Sequence, residues 1–237
     1  MNSRILRYCL LLLLTIPYFI QAQQPVSFTL KQAVEYGVSH HLSIQKSDFK
    51  EAVAKMAKNF ESAERDSMQH TQKVLQYMGN LKGKKIMDIG AATGYFFVKF
   101  AAKGAHVIAA DVSDGFQDYL KERIAKESIK NIELRKIPYD SPLLKDNEAD
   151  IVFIANTYHH IENRTEYFSK VKKGLNKNGE LVIVDFFKAV FTEKVQAPPM
   201  TLRASVDEIV FELKKAGFTS FEVEVNLFPY QYIIKAK

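Results

Sequence analysis

Three groups of residues in this chain have types and spacings that can do chemistry. In the first, Lys85-Ile86-Met87-Asp88-Ile89 reads as a short apolar strand carrying one acid, and Gly90-Ala91-Ala92-Thr93-Gly94 follows before a helical stretch from Tyr95 to Ala102. Strand, glycine loop and helix in that order cradle a nucleotide, because Gly90 and Gly94 let the backbone turn sharply and approach a ligand where a side chain would intrude. In the second, the apolar run His106-Val107-Ile108-Ala109-Ala110 ends in Asp111, twenty-one residues beyond Gly90. An acid at the tip of a second strand can accept both hydroxyls of a ribose. In the third, the apolar run 150–155 ends in Asn156-Thr157-Tyr158-His159-His160. Imidazoles titrate near neutrality and can take a proton from oxygen or nitrogen.

The loop itself narrows the ligand. A phosphate-gripping loop needs Gly-Lys-Ser/Thr, and Gly94 is followed by Tyr95-Phe96. A dinucleotide fingerprint needs a third glycine at position 95, where Tyr95 stands, and the loop holds no lysine or arginine to meet phosphate. An uncharged-loop ligand such as S-adenosylmethionine fits, with Asp88 near its amino-acid portion, Asp111 on its ribose and Tyr95 lining the pocket. Asp111 and Ser113 also have the type and place to cap the helix that runs to about Ser128. Methyl transfer from a sulfonium is an in-line displacement, so positioning supplies most of the rate and a base is needed only when the acceptor must lose a proton. Asn156, Tyr158, His159 and His160 follow the fourth strand at the ligand-binding edge of such a sheet. His159 and His160 are equivalent candidates at this level, and the alternative is that one packs under the acceptor loop while the other hydrogen-bonds backbone. Asp185, at the tip of the fifth strand, either faces the acceptor or caps the next turn.

The elements that must position these groups are those of a Rossmann-like α/β domain: a seven-stranded, mostly parallel sheet with helices on both faces. Asn176-Lys177-Asn178-Gly179 forms a turn before a fifth strand ending at Asp185, a helix ends at Ala216-Gly217, and Ser220–Val225 and Gln231–Ala236 pair as a terminal antiparallel hairpin. The motifs DIGAATGYF and AADVS resemble motifs I and II of the class I S-adenosylmethionine-dependent methyltransferases. Phe60–Gln69, with its ERD and Gln69, NTYHH at 156–160 and the closing Phe228-Pro229-Tyr230-Gln231-Tyr232 resemble a bacterial, type 11-like subgroup. The resemblance covers residues 59–237 and implies S-adenosylmethionine as cofactor, with Asp88, Gly90, Ala92, Gly94, Tyr95, Asp111 and Asn156 around it. It says little about the acceptor. Ala92 replaces a usual glycine, Met68 replaces a tryptophan, and the acid usual after the third strand is absent, with Asp140 the nearest substitute for recognising adenine.

The rest of the chain is different in character. Arg4 and Arg7 precede an apolar run from Tyr8 to Ile20 that ends in Gln21-Ala22. That run is too short for a membrane span of about 20 residues and suits a signal peptide over residues 1–22. The protein is then expected to be exported, periplasmic or envelope-associated, with an inner-membrane anchor as the alternative. Residues 23–58 read as a helical arm, and FTLKQAVEYGVSHHLSIQ resembles the mature N-terminus of outer-membrane efflux proteins of the TolC type.

With 237 residues, 47% hydrophobic and 25% charged, the composition is that of a folded protein and excludes a disordered or disulfide-stapled chain. The net charge of +6 comes from 33 basic and 27 acidic residues dispersed along the sequence, which gives no footprint for nucleic acid. The single cysteine, Cys9, lies in the leader, and no histidine pair has a third ligand at metal-binding spacing. The expected activity is methyl transfer to a small-molecule acceptor, without metal. The alternative is a non-catalytic S-adenosylmethionine-binding module of an envelope complex.

Overall fold

A computed structural model describes residues 53–58, 60–62, 69–192, 195 and 197–237. The leader, most of the arm and residues 63–68 of the ERD segment lie outside the described residues. The chain divides into two compact units, Met1–Lys55 and Met56–Lys237, and the second contains the whole sheet.

The seven strands of that unit, β1 (Lys85–Ile89), β2 (His106–Asp111), β3 (Ile132–Lys136), β4 (Ala149–Ala155), β5 (Leu175–Phe186), β6 (Phe221–Glu224) and β7 (Gln231–Ala236), form one sheet in the order β3-β2-β1-β4-β5-β7-β6. The first five run parallel, and β7 is antiparallel to both β5 and β6. The central strands are apolar on both faces because helices cover both. On one face pack α1 (Thr71–Met78), α2 (Phe97–Ala102) and α3 (Asp114–Glu127), through Val74, Leu75, Phe97, Phe100 and Leu120. On the other pack α4 (Arg164–Gly174) and α5 (Val206–Lys215), through Phe168, Val171, Ile209 and Leu213. This is the Rossmann-like α/β fold expected from the sequence, with its C-terminal antiparallel pair.

Local chemistry sets the element ends. Ser205 and Glu208 form a reciprocal capping box that starts α5: the Glu208 amide donates to Ser205 Oγ at 3.4 Å, and the Ser205 amide donates to Glu208 Oε2 at 2.7 Å. Ser113 caps α3, accepting from the Phe116 amide at 3.4 Å. The helix after the glycine loop begins at Phe97, two residues later than expected, since Tyr95 and Phe96 complete the turn out of the loop. The expected turn at 176–179 is instead the start of β5, where the register against β4 shifts between Ala149 and Ile151.

Residues 137–148, which carry the chain from β3 back across the sheet to β4, contain no helix. A charge cluster lies over that part of the sheet instead. Glu148 accepts from Arg135 Nη1 at 2.9 Å, Arg135 Nη2 at 2.8 Å, Lys85 Nζ at 3.0 Å and the Lys145 amide at 2.9 Å. These donors, Arg135 foremost, hold the Glu148 carboxyl well below the usual carboxylate range.

Candidate active site

The C-terminal ends of parallel β1, β2, β4 and β5 open on one edge, and the chemistry-bearing residues gather there. Gly90 leaves β1 at φ 77° and Gly94 closes the loop at φ 91°, both in the left-handed region. A Cβ on Gly90 would lie 2.4 Å from Thr157 Oγ1, so the glycine lets the loop after β4 seat directly on the glycine loop. Ala92, where the related motif has glycine, also adopts a left-handed φ of 47°.

Asp111 is 5% exposed and braces this loop. Its Oδ2 accepts from the Ala92 amide at 2.9 Å and its Oδ1 from the Ser113 amide at 2.8 Å. Capping of α3 therefore falls to Ser113, and Asp111 serves the glycine loop. Three backbone amides, those of Ser113, Ala92 and Val112, act on a carboxylate that has about four lone-pair sites, so it retains capacity to accept from a ligand hydroxyl. Burial pushes the Asp111 pKa up, against the pull of the Ser113 and Ala92 amides and of Lys136. Arg123 steadies the loop from below, donating to the Thr93 carbonyl at 2.7 Å while pairing with Glu61 at 2.5 Å.

Asp88 is buried at the end of β1. Tyr95 is buried too: its hydroxyl shares a 2.5 Å hydrogen bond with Thr71, and the Lys99 ammonium sits 3.6 Å from its ring centroid. It forms the floor beneath the loop. No cationic side chain stands among residues 90–94, which suits a ligand without phosphate.

The residues after β4 separate into two groups. His159 and Asp185 come together: the His159 Nδ1 lies 3.1 Å from both Asp185 oxygens, and the two side chains are 2% and 1% exposed. The Phe186 amide donates to Asp185 Oδ1 at 2.8 Å and fixes the carboxylate. His160 lies against His159 with ring centroids 4.1 Å apart. Its ring keeps an accessible face, yet the protein packed around it and the neighbouring His159 push its pKa down to about 4. Tyr158, by contrast, turns into the core, stacks on Phe168 and donates its hydroxyl to Glu212 at 2.5 Å. Burial and Glu212 hold that phenol far above its ordinary range, so Tyr158 does not join the histidines. Asn156, at φ 55°, accepts from Gln231 Nε2 at 2.6 Å.

Asp140 lends its backbone carbonyl to Lys170 Nζ at 3.0 Å. Two contributors have no clear mark in the sequence. Arg123 carries no signal beyond lying on an amphipathic helix. Gln231 stands in the closing FPYQY segment, which singles it out without giving it a role. Among the described residues, no group of three histidine, cysteine, aspartate or glutamate side chains is arranged to hold a metal ion. Nor is any helix among them long and apolar enough to cross a membrane.

Comparison with known proteins bears on the fold that carries these residues. Residues 87–183 match the methyltransferase domain family. The chain is 28% identical over 165 residues to a tRNA U34 carboxymethyltransferase of Psychrobacter arcticus, covering 62% of this chain and 47% of that protein. It is 24% identical over 178 residues to phosphoethanolamine N-methyltransferase 1 of Arabidopsis thaliana, covering 71% of this chain and 35% of that one. The chain thus spans about half or less of the length of these curated relatives. Among solved structures, a SAM-dependent methyltransferase from Aquifex aeolicus superposes with a TM-score of 0.69 at 25% identity, covering 77% of this chain and 96% of that one.

Proposed function

We propose that this protein is an S-adenosylmethionine-dependent methyltransferase acting on a small-molecule acceptor. The observation that carries the reading is the Asp111-braced, uncharged glycine loop set in a methyltransferase fold. Asp88, Gly90, Ala92, Gly94, Asp111 and Asn156 would hold the cofactor, with Tyr95 supporting the loop from beneath. S-adenosylmethionine supplies an electrophilic methyl group; the protein binds, orients and excludes water. Relatives named for tRNA and for phosphoethanolamine show that this fold serves unlike acceptors, so the acceptor must be read from the site. Basic residues dispersed over the chain favour a small molecule over nucleic acid. The basic, apolar leader supports export of the protein to the envelope.

Titration calorimetry with S-adenosylmethionine and S-adenosylhomocysteine tests the reading. Binding of both, with the pair competing for one site, is expected; binding of neither removes it. The buried His159–Asp185 pair favours an enzyme over a silent binding module, because a module has no use for an oriented imidazole.

A further inference from the structure

Methyl transfer does not need a base unless the acceptor carries a proton that must leave. The site nonetheless holds an imidazole in one orientation. His159 Nδ1 faces both oxygens of Asp185, and Asp185 is fixed in turn by the Phe186 amide. A carboxylate accepts only, so in the neutral imidazole the hydrogen sits on Nδ1 and the Nε2 lone pair is free. The pair lies beside the glycine loop, since Thr157, two residues before His159, fills the space that Gly90 leaves open. The charged and titratable groups facing the pair are His160 on the same 3-10 turn, Arg203 from the β5–α5 connection and Tyr232 on β7. Arg203 is committed to the carbonyls of Pro198, Phe187 and Ala189, and the Tyr232 hydroxyl to that of Ala204. None of them occupies the His159 nitrogen.

Beyond the tip of β5, Phe191 and Tyr230 meet edge to face at 5.3 Å, with the Arg203 guanidinium 4.6 Å from the Phe191 ring centroid. Both rings are partly exposed and suit a flat, aromatic ligand. An imidazole base can take the proton of a phenol, which titrates near 10, but not that of an aliphatic hydroxyl, which resembles water near 15.7.

We infer that His159, positioned by Asp185, is the general base of this site and that the methyl acceptor is a phenolic hydroxyl. The inference rests on the methyltransferase reading above. In the step, the phenol proton passes to His159 Nε2 and the phenolate oxygen forms a bond to the methyl carbon. The carbon–sulfur bond breaks as it forms, its electron pair stays on sulfur, and the products are an aryl methyl ether, neutral S-adenosylhomocysteine and an imidazolium that returns its proton to water.

Two measurements on the full chain test this. Long-range 1H–15N spectra of the S-adenosylhomocysteine complex at neutral pH are expected to show His159 protonated on Nδ1 alone, and Asp185→Asn is expected to shift the hydrogen to Nε2. A hydrogen on Nε2 in the unsubstituted protein overturns the assignment of the base. S-adenosylhomocysteine release is then followed with phenol, catechol, para-nitrophenol, ethanolamine and dithiothreitol as acceptors. Methylation of the phenols is expected, with His159→Gln lowering kcat/KM for phenol by about 10²–10⁴-fold. It should lower it far less for para-nitrophenol, which is already ionised near neutrality, while cofactor Kd is unchanged. Equal losses for both phenols mean that His159 is structural, and turnover of only the amine or thiol, or of none of the five, overturns the acceptor class. Calorimetry separates the levels: cofactor binding without phenol methylation sinks this inference alone, and no cofactor binding sinks the methyltransferase reading as well.

Discussion

The Ala92 amide donates to Asp111 Oδ2 across 2.9 Å, joining the glycine loop after β1 to the tip of β2. One carboxylate thus holds the loop in its left-handed turn, and in the proposed function it would also accept from a ribose. Asp111→Ala removes a charge-assisted acceptor for the ligand, worth about 1.5 kcal/mol or more, so cofactor affinity is expected to fall by at least about 10-fold. It also strands the Ala92 and Ser113 amides, so the variant is expected to lose about 1–3 kcal/mol of stability. Asp111→Asn keeps one acceptor oxygen and should fall between. Calorimetry for affinity and urea unfolding for stability check both halves, and unchanged affinity in Asp111→Ala removes the residue from the cofactor site.

The buried position of Asp111 sets a pH dependence. Its pKa is raised in the folded protein, chiefly by burial, so the carboxyl takes up a proton at a higher pH than it would in the unfolded chain. The folded state then binds the proton more tightly than the unfolded state. Burying this charge therefore costs stability at neutral pH, and the cost lifts as pH falls through the raised pKa. Ligand binding runs the other way, because ribose hydroxyls donate to the ionised form. Cofactor affinity is expected to weaken as pH falls through the raised Asp111 pKa, with proton release on binding there, measured by calorimetry in buffers of different ionisation enthalpy. Asp111→Asn should flatten the profile; an equally steep profile in that variant would place the titrating group elsewhere.

Two neighbouring loop positions should respond oppositely to a single methyl group. Ala92 sits at φ 47°, where an L-residue is strained by about 1–2 kcal/mol, so Ala92→Gly relieves strain at a smaller cost in unfolded-chain entropy. A net gain of about 0.5–1 kcal/mol is expected, raising Tm by about 1–4 °C. Gly90→Ala adds a Cβ at φ 77° and 2.4 Å from Thr157 Oγ1, and a loss of about 1–3 kcal/mol is expected. Thr157→Ala in the Gly90→Ala background removes the clash but not the strained φ, so thermal melts should show partial recovery only.

The strands, the mostly parallel sheet and the glycine turn after β1 are legible in the sequence because the signals are local: apolar runs of strand length, glycines at fixed offsets, an acid at a strand tip. The same locality explains what the sequence hides. His159 and His160 are adjacent, and only the pairing of β4 with β5 decides that the first of them meets Asp185, twenty-six positions away. Tyr158 is equivalent to its neighbours in sequence, but one turn of 3-10 helix sends it into the core toward Glu212. Gln231 acquires its partner Asn156 across 75 positions, a contact that no spacing rule carries. The β3–β4 connection misleads in another way, since nothing in the composition of 137–148 shows that ion pairs lie over the sheet where a helix commonly would.

That ion cluster yields the most direct test of how the sheet is held between β1 and β3. Glu148, 7% exposed at its side chain, ties Arg135 on β3 to Lys85 at the start of β1 and receives the Lys145 amide. Exposed single ion pairs contribute little, but a carboxylate with four donors that is largely out of solvent is a different case, since removing its charge leaves those donors unmatched. Glu148→Gln is expected to cost about 1–3 kcal/mol at neutral pH, read as a lower urea midpoint with unchanged slope. The folded carboxyl titrates well below the ordinary glutamate value of about 4.3, so its contribution is present above that pH and is lost progressively as pH falls toward the depressed folded value. The difference between the parent protein and Glu148→Gln should therefore be full at pH 7 and shrink by pH 3. Arg135→Met in the Glu148→Gln background should cost less than Arg135→Met alone, because the buried carboxylate that the single variant deprives of its two guanidinium donors is already gone. A difference that stays constant with pH, or additive losses in the double variant, would show that the cluster does not act as a unit.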